Sequence, residues 1–75
     1  MINISLYLKE LERYNVKAEP NLVQLCECYS GDPERLINAL YVLKEAHDQK
    51  RVKNPIGYIY RAIEKGWVSD LVSFL

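Results

Sequence analysis

The chain has few of the residues on which active sites are usually built. Its 75 residues include one histidine, two cysteines and three glycines. The glycines are scattered at positions 31, 57 and 66, so no glycine-rich loop that could cradle a phosphate is present. No serine or cysteine stands in the sequence context of a catalytic nucleophile. These absences exclude most familiar reaction types, and we expect a protein that is not an enzyme and has no cofactor.

Cys26 and Cys28 do not form a recognisable disulfide or metal motif. One glutamate separates them, and on a helix the two side chains would point about 200° apart, too far round the axis to bridge. A zinc site would need two further ligands, and His47 is the only histidine. We therefore expect no metal, reduced thiols, and at least one cysteine that packs as a small apolar residue.

No hydrophobic run approaches the roughly 18 residues of a membrane-spanning helix. The N-terminus also lacks a basic segment followed by an apolar stretch and a cleavage site, which is the pattern of a secretion signal. We expect a cytoplasmic protein that does not enter a membrane. Ten acidic and ten basic residues give a formal net charge of zero, which argues against a surface that grips nucleic acid on all sides.

The charges are distributed unevenly along the chain. Residues 1–43 carry four basic and six acidic side chains, whereas residues 44–65 carry six basic and three acidic ones. Lys50, Arg51 and Lys53 concentrate positive charge in one short segment. Such a run is usually a solvated turn, but it can also contact phosphate or an acidic protein surface. The residues alone leave both interpretations open.

The hydrophobic pattern predicts an all-α fold. Nearly half of the residues, 49%, are hydrophobic, and they recur at spacings of three and four, as on one face of a helix. No segment shows the strict alternation of a half-buried strand. We expect a single domain built as a compact bundle of four helices, with room for a short fifth at the C-terminus. The domain covers residues 1–75, and the helices cover about residues 3–14, 20–29, 33–48, 55–65 and, for the fifth, 70–74.

Helix starts are the clearest local signals. Asp32-Pro33 and Asn54-Pro55 each combine a capping side chain with a proline at the first helical position, where the missing N–H costs nothing. Pro20 fits the first turn of the second helix in the same way. The first helix can be capped by Asn3 or by Ser5.

Glycines mark the helix ends. Ser30-Gly31 should supply the exit from the second helix, because glycine tolerates the left-handed conformation that commonly ends one, and Gly66 is expected as the C′ residue of the fourth. Trp67 should then fold back against the fourth helix, and Gly57 should allow a neighbouring backbone to approach that helix closely. The apolar ridge expected on the fourth helix consists of Ile56, Ile59, Ile63 and Trp67.

Six tyrosines and one tryptophan are the most conspicuous side chains. One interpretation is that they complete a core that is short of phenylalanine and methionine, with hydroxyl groups reaching the surface. The other is that some are exposed anchors for a partner, because aromatic residues are enriched at interface hot spots. The first interpretation is assigned to Tyr14, Tyr29, Tyr41 and Tyr58. Under the second, the exposed anchors would be some of Tyr7, Tyr60, Trp67 and Phe74.

The segment from Gly31 to Trp67 resembles a known family. Its order is GDPERLINALYVLKEA, a basic turn, and NPIGYIYRAIEKGW. This order is similar to the C-terminal helical region of bacterial, plasmid and phage replication initiators and, more loosely, to the DnaD-like helical domain. In DnaD-like domains an aromatic residue, an aliphatic residue and a tryptophan lie four apart on the last helix. Ile59, Ile63 and Trp67 have that spacing here, with isoleucine where tyrosine is usual and a tyrosine on either side of it.

The resemblance implies a helical module that assists replication initiation by binding DNA or a partner such as a helicase or primase. Initiators of this kind place a winged-helix domain before the helical tail. A chain that starts at Met1 without that domain is expected to act in trans on a replication complex, or as an inhibitor. The binding residues expected on its basic face are Lys50, Arg51, Lys53, Arg61 and Lys65. The aromatic binding candidates are Tyr58, Tyr60 and Trp67.

Two further classes of function stay open, and both require a protein partner. A small phage or plasmid factor could bind a host protein or nucleoprotein complex through exposed aromatic and acidic groups. The acidic candidates are Glu10, Glu12, Glu27 and Glu34. A homodimer could instead form by burying the apolar C-terminus. The residues concerned are Leu71, Val72, Phe74 and Leu75.

Overall fold

The computed structural model describes residues 3–68 and shows an all-α protein. Within that range there are four helices and no strand: α1 (Ile4–Glu12), α2 (Pro20–Cys28), α3 (Pro33–Asp48) and α4 (Pro55–Lys65). Short connections fold them into a body with a radius of gyration of 11.3 Å. The all-α prediction is confirmed, and the fifth helix expected at 70–74 lies outside the described residues.

Three of the four helices in this range begin with a side-chain cap. The Asn3 Oδ1 accepts a hydrogen bond from the Leu6 backbone N–H at 3.2 Å, so Asn3 and not Ser5 caps α1. Asp32 and Asn54 cap α3 and α4 in the same way, each accepting from the N–H three residues ahead at 3.3 Å. The second helix starts at its proline without a side-chain cap. The predicted starts of all four helices are therefore confirmed to within one residue.

The two glycines expected to end helices behave differently. Gly66 has φ 66° and ψ 42° and ends α4 in the left-handed conformation, as predicted. Ser30 and Gly31 do form the exit from α2, but Gly31 does not use the left-handed conformation that glycine tolerates, because Gly66 is the one glycine in residues 3–68 with a positive φ. After Cys28 the chain leaves α2 through a turn closed by the Asp32 N–H, which donates to the Tyr29 carbonyl at 2.9 Å. That turn keeps Gly31 at a φ that any residue adopts.

Two further helices end through left-handed residues that are not glycine. Asn15 has φ 65° after α1, and Lys50 has φ 57° after α3. In each case the next residue donates its N–H to the carbonyl five positions back, at 3.2 Å after α1 and 2.9 Å after α3. The same bond follows Gly66, at 3.0 Å. This Schellman-type ending satisfies carbonyls that a helix end otherwise leaves without a partner.

All four helices contribute to one apolar core. The ridge on α4 is as predicted: Ile59 and Ile63 are fully buried, and Ile56 and Trp67 pack partly buried against them. The contact between α3 and α4 is the most extensive one between helices. Each fully buried leucine or isoleucine contributes roughly 1.5–3 kcal/mol through its removal from water. The buried set is Tyr7, Leu11, Val16, Leu22, Cys26, Leu36, Ala39, Leu43, Ala46, Ile59, Ala62 and Ile63.

Tyr7 and Tyr41 have the opposite environments from those expected. Tyr7, one of the four candidates for an exposed anchor, is 4% exposed and its hydroxyl donates to the Leu36 carbonyl across the α1–α3 contact, so it is not an anchor. Tyr41, expected in the core, is 48% exposed. Helical periodicity explains the result, because Tyr41 shares a face with Ile37, away from the side of α3 that buries Ala39. The tyrosines that do pack partly buried against the core include Tyr14, Tyr29 and Tyr58.

Arg35 connects the ends of three helices. Its Nη1 donates to the carbonyls of Ile63, at 2.9 Å, and Glu64, at 3.1 Å, in the last turn of α4. Its Nε donates to the Oδ2 of Asp32 at 3.4 Å, and the guanidinium lies 4.9 Å from the ring centre of Tyr29 at the end of α2. One cation thus neutralises the negative end of the α4 dipole and fixes α4 relative to α2 and α3.

Candidate functional site

A shallow groove of about 360 Å³ lies between the first turns of α4 and Trp67, which follows the glycine that ends the helix. The residues that line it are Asn54, Gly57, Tyr58, Arg61 and Trp67. Four of them recur at spacings of three, one and three, so they lie on one face of α4. Trp67 completes the wall from outside the helix. The fold thereby brings together three of the residues predicted as a binding site, Tyr58, Arg61 and Trp67.

The aromatic wall of the groove is held by the way in which α4 ends. Gly66 turns the chain back, and the Trp67 N–H then donates to the Ala62 carbonyl at 3.0 Å. The indole comes to lie against Tyr58, with ring centres 5.3 Å apart and ring planes at 69°. An edge-to-face pair of this kind contributes about 0.5–1.5 kcal/mol beyond its buried area. Trp67 is therefore positioned by backbone geometry and by one tyrosine.

Asn54 and Gly57 form the opposite end of the groove. Asn54 caps α4 by accepting from the Gly57 N–H. A Cβ atom at position 57 would lie 2.9 Å from the Nδ2 of Asn54, closer than real Cβ atoms come to other atoms. Glycine is therefore needed for the capping amide to keep its place. The expectation that Gly57 admits a neighbouring backbone is wrong, since it is the side chain of Asn54 that approaches.

The five residues predicted as a basic face are all exposed. Arg61 is in the groove, and Lys65 follows it four positions later on the same face of α4. Lys53 directly precedes the capping Asn54. Lys50 and Arg51 lie earlier, in the exit from α3. None of the five is in the ion pairs Arg13–Glu10, Arg35–Asp32 and His47–Asp48 found within residues 3–68.

Tyr60, the remaining aromatic candidate, lies on a different side of α4 from Tyr58. Two positions along a helix correspond to about 200° of rotation, which takes Tyr60 out of the groove. Its hydroxyl donates to the Oε1 of Glu19 at 2.9 Å, tying α4 to the residue before α2. Partial burial and this hydrogen bond raise the pKa of Tyr60 to about 12. The structure gives Tyr60 a contact within the bundle and separates it from the other two aromatic candidates.

Asn54 and Gly57 are groove residues that the sequence pattern did not mark for binding: Asn54 was expected only as a helix cap, and Gly57 only as a place of close backbone approach. Their place in the groove depends on the return of Trp67, which brings a residue from beyond the helix end next to the helix start. A pattern signal for this did exist, because a capped start and a glycine-tryptophan end enclose Tyr58 and Arg61 at helical spacing. The residues that line the groove can be named once Gly66 and Trp67 are folded back against α4.

The one histidine and the two cysteines of the chain all lie within the residues that the structure describes. No group of three or more histidine, cysteine, aspartate or glutamate side chains is placed there to hold a metal ion. His47 packs edge-on against Tyr14, with ring centres 5.1 Å apart. Cys26 is buried in the core, as predicted for one of the thiols, and Cys28 is exposed. Burial, together with the charge of Glu27, raises the pKa of Cys26 to about 11.

None of the helices formed by residues 3–68 has both the length and the apolar character that crossing a lipid bilayer requires. A comparison of the chain with family models, with curated proteins and with solved structures finds no match. The resemblance to replication initiators therefore depends on the pattern of residues 31–67 alone.

Proposed function

We infer that this protein is a non-enzymatic binding module, similar to the helical tail of replication initiators, and that it binds single-stranded DNA through α4. The observation that supports this best is the groove in which Arg61 lies beside Tyr58 and Trp67. A nucleic-acid strand is bound without sequence readout by an aromatic face for a base and a cation for the adjoining phosphate. The proposed place of action is the cytoplasm.

The charges near the groove imply a small footprint. Arg61 lies within it, Lys65 lies four residues further along the same face, and Lys53 precedes its capping asparagine. Three cations can neutralise about three phosphates, which for a single strand corresponds to a slope of about −2 in log affinity against log salt. One stacked base adds about 1–3 kcal/mol that is largely independent of salt. Weak, moderately salt-dependent binding is the expected behaviour.

The test is a titration of a fluorescently labelled single strand of about 12 nucleotides, within the usual range of single-strand sites. Anisotropy is recorded at several salt concentrations for the native chain and for Arg61→Gln. Losing one phosphate contact should weaken binding and reduce the salt slope by about 0.7. Arg13→Gln is the matched control, because Arg13 is an exposed arginine at the C-cap of α1 and does not line the groove. It should leave both affinity and slope unchanged.

Two results would contradict the proposal. One is an affinity that does not change between about 50 mM and about 200 mM salt, since phosphate contacts always weaken with added salt. The other is an equal loss of affinity in Arg61→Gln and Arg13→Gln, which would show that binding depends on the overall charge of the chain and not on the groove. Quenching of Trp67 fluorescence by the oligonucleotide gives an independent readout, because Trp67 is the only tryptophan.

A protein partner is the second candidate, and the formal net charge of zero favours it. A neutral chain has no long-range attraction to DNA, whereas a groove with one arginine and two aromatic rings suits an acidic or aromatic side chain of a replication protein. Affinity capture from the native host with and without nuclease separates the candidates. A host protein that stays bound to the native chain after nuclease treatment, and that the Arg61→Gln variant does not capture, would favour this second function.

A further inference from the structure

The outward face of α3 carries a stripe of exposed side chains. Ile37 is 42% exposed and Tyr41 is 48% exposed, and they lie four residues apart, so they form one apolar strip. Glu34 and Lys44, both exposed, continue the stripe at its two ends. The four residues recur at spacings of three, four and three. This is the spacing with which helices pair along a common seam.

The stripe is symmetric about the level of Ala39. Ile37 and Tyr41 lie two residues before and after that level, and Glu34 and Lys44 lie five residues before and after it. A twofold axis at this level would place two α3 helices antiparallel. Each Ile37 would then face Tyr41 of the second copy, and each Glu34 would face its Lys44. The surface is therefore complementary to itself.

We propose that this face of α3 is the interface of an antiparallel homodimer. The charges select the second copy and its direction, because antiparallel pairing gives two pairs of opposite charge whereas parallel pairing sets like charges against each other. Neither Glu34 nor Lys44 takes part in an ion pair found among the described residues, so both can contact a partner. The interface is independent of the groove on α4 and does not require DNA.

The size of the stripe sets the expected strength. One exposed isoleucine and one half-exposed tyrosine per copy bury much less apolar area than the interface of an obligate dimer. The dissociation constant should therefore be on the order of 0.1 mM. Dimers of this strength form at high protein concentration and dissociate on dilution.

Charge exchange tests the proposal with the full chain. Glu34→Lys places lysine against Lys44 of the second copy, and Lys44→Glu places glutamate against its Glu34. Each single variant should raise the dissociation constant at least about fivefold, since two repulsive pairs replace two attractive ones. The double variant restores both pairs in reversed order and should return to the native dissociation constant. Sedimentation equilibrium over a concentration series measures all four proteins, and circular dichroism checks that each keeps its helices.

A second variant tests the apolar part of the stripe. Tyr41→Glu adds a charge to the centre of the seam at a position that is exposed in the single chain, so it should abolish association without unfolding the protein. The proposal is overturned if the native chain stays monomeric up to about 1 mM. It is also overturned if the double exchange dissociates as readily as the single ones, or if Tyr41→Glu still dimerises with native affinity.

Discussion

The Arg35 guanidinium donates a hydrogen bond of 2.9 Å to the backbone carbonyl of Ile63, a fully buried residue in the last turn of α4. The bond joins α3 to the place where α4 ends. Its neighbour in space is Gly66, because a Cβ atom at position 66 would lie 3.2 Å from Arg35 Nη1. The arginine thus stabilises the turn that brings Trp67 back to the groove.

Replacing Arg35 should destabilise the whole fold. Arg35→Met keeps the length of the apolar stem but leaves the Ile63 and Glu64 carbonyls without their charged donor. The expected loss is about 1.5–3 kcal/mol in the free energy of unfolding, measured by urea titration. Arg13→Met is the control, since Arg13 forms one exposed ion pair with Glu10 and should change stability by less than about 0.5 kcal/mol. Equal losses in the two variants would show that the carbonyl contacts contribute nothing.

Two glycine substitutions should have opposite effects. Gly66→Ala forces a Cβ into the left-handed conformation and against Arg35, and it should cost at least about 1–2 kcal/mol. Gly31→Ala meets open space at an ordinary φ and should be neutral or stabilising by up to about 1 kcal/mol, because it restricts the unfolded chain. Thermal unfolding followed by circular dichroism gives the order of the two midpoints. The reverse order would disprove the conformations assigned to these glycines.

Stability should fall at alkaline pH because of Tyr7. Burial, and then the nearby Cys26, raise the pKa of the Tyr7 hydroxyl above its ordinary value. In the unfolded chain the phenol loses its proton near pH 10, whereas the folded chain keeps it, so the unfolded state binds fewer protons above that pH. The contribution of Tyr7 is therefore complete below about pH 10 and is lost as the pH rises towards the folded-state pKa.

The variant Tyr7→Phe isolates this effect. It should cost about 0.5–1.5 kcal/mol at neutral pH, because the hydrogen bond to Leu36 is lost. Above about pH 10 the difference from the native chain should shrink. Urea unfolding at several pH values measures both, and Tyr41→Phe, at an exposed tyrosine, should follow the native profile. A constant difference between Tyr7→Phe and the native chain at every pH would refute the explanation.

The two cysteines should react at very different rates. Cys28 is exposed, whereas Cys26 is buried and its raised pKa keeps the thiol protonated at neutral pH. A thiol reagent should modify one cysteine of the native chain rapidly and the second only as the core opens. Cys28→Ser should therefore leave only the slow reaction, and Cys26→Ser only the fast one. Equal rates in the two variants would place Cys26 outside the core.

The helix starts could be predicted from the sequence because they depend on local chemistry. An asparagine or aspartate followed by proline satisfies a helix N-terminus whatever surrounds it, and Asp32 and Asn54 act as expected. Helix exits are less local. Gly31 was expected at a helix exit because glycine tolerates a left-handed φ, yet the left-handed exits are at Asn15, Lys50 and Gly66. At each of these three the bond back to the helix decides the conformation, and composition alone does not reveal it.

Burial of the tyrosines could not be predicted because it depends on which face of each helix meets another. Tyr7 and Tyr41 both lie on amphipathic helices, and only the packing of α1 on α3 shows that one is buried and the other exposed. Arg35 shows the same limit. Its spacing from Asp32 predicts a local pair, but the α4 carbonyls that it binds lie 28 and 29 residues away.

The sequence predicted which residues belong to the candidate site better than it predicted how they are arranged. Tyr58, Arg61 and Trp67 were candidates from residue type and spacing, and the groove unites them. Tyr60 was a candidate for the same reasons, and its bond to Glu19 places it elsewhere. That bond spans 41 residues of sequence, so only the folded chain reveals it.

The capping role of Asn54 also fixes the polarity of the groove. Its Oδ1 accepts from the Gly57 N–H, which orients the amide and leaves its Nδ2 as a hydrogen-bond donor. A guest that presents a carbonyl, phosphate or carboxylate oxygen at that end can accept from this donor. Aspartate at this position would preserve the helix start but replace the donor with acceptor oxygens, so a residue required for folding also contributes to which chemical groups the groove favours.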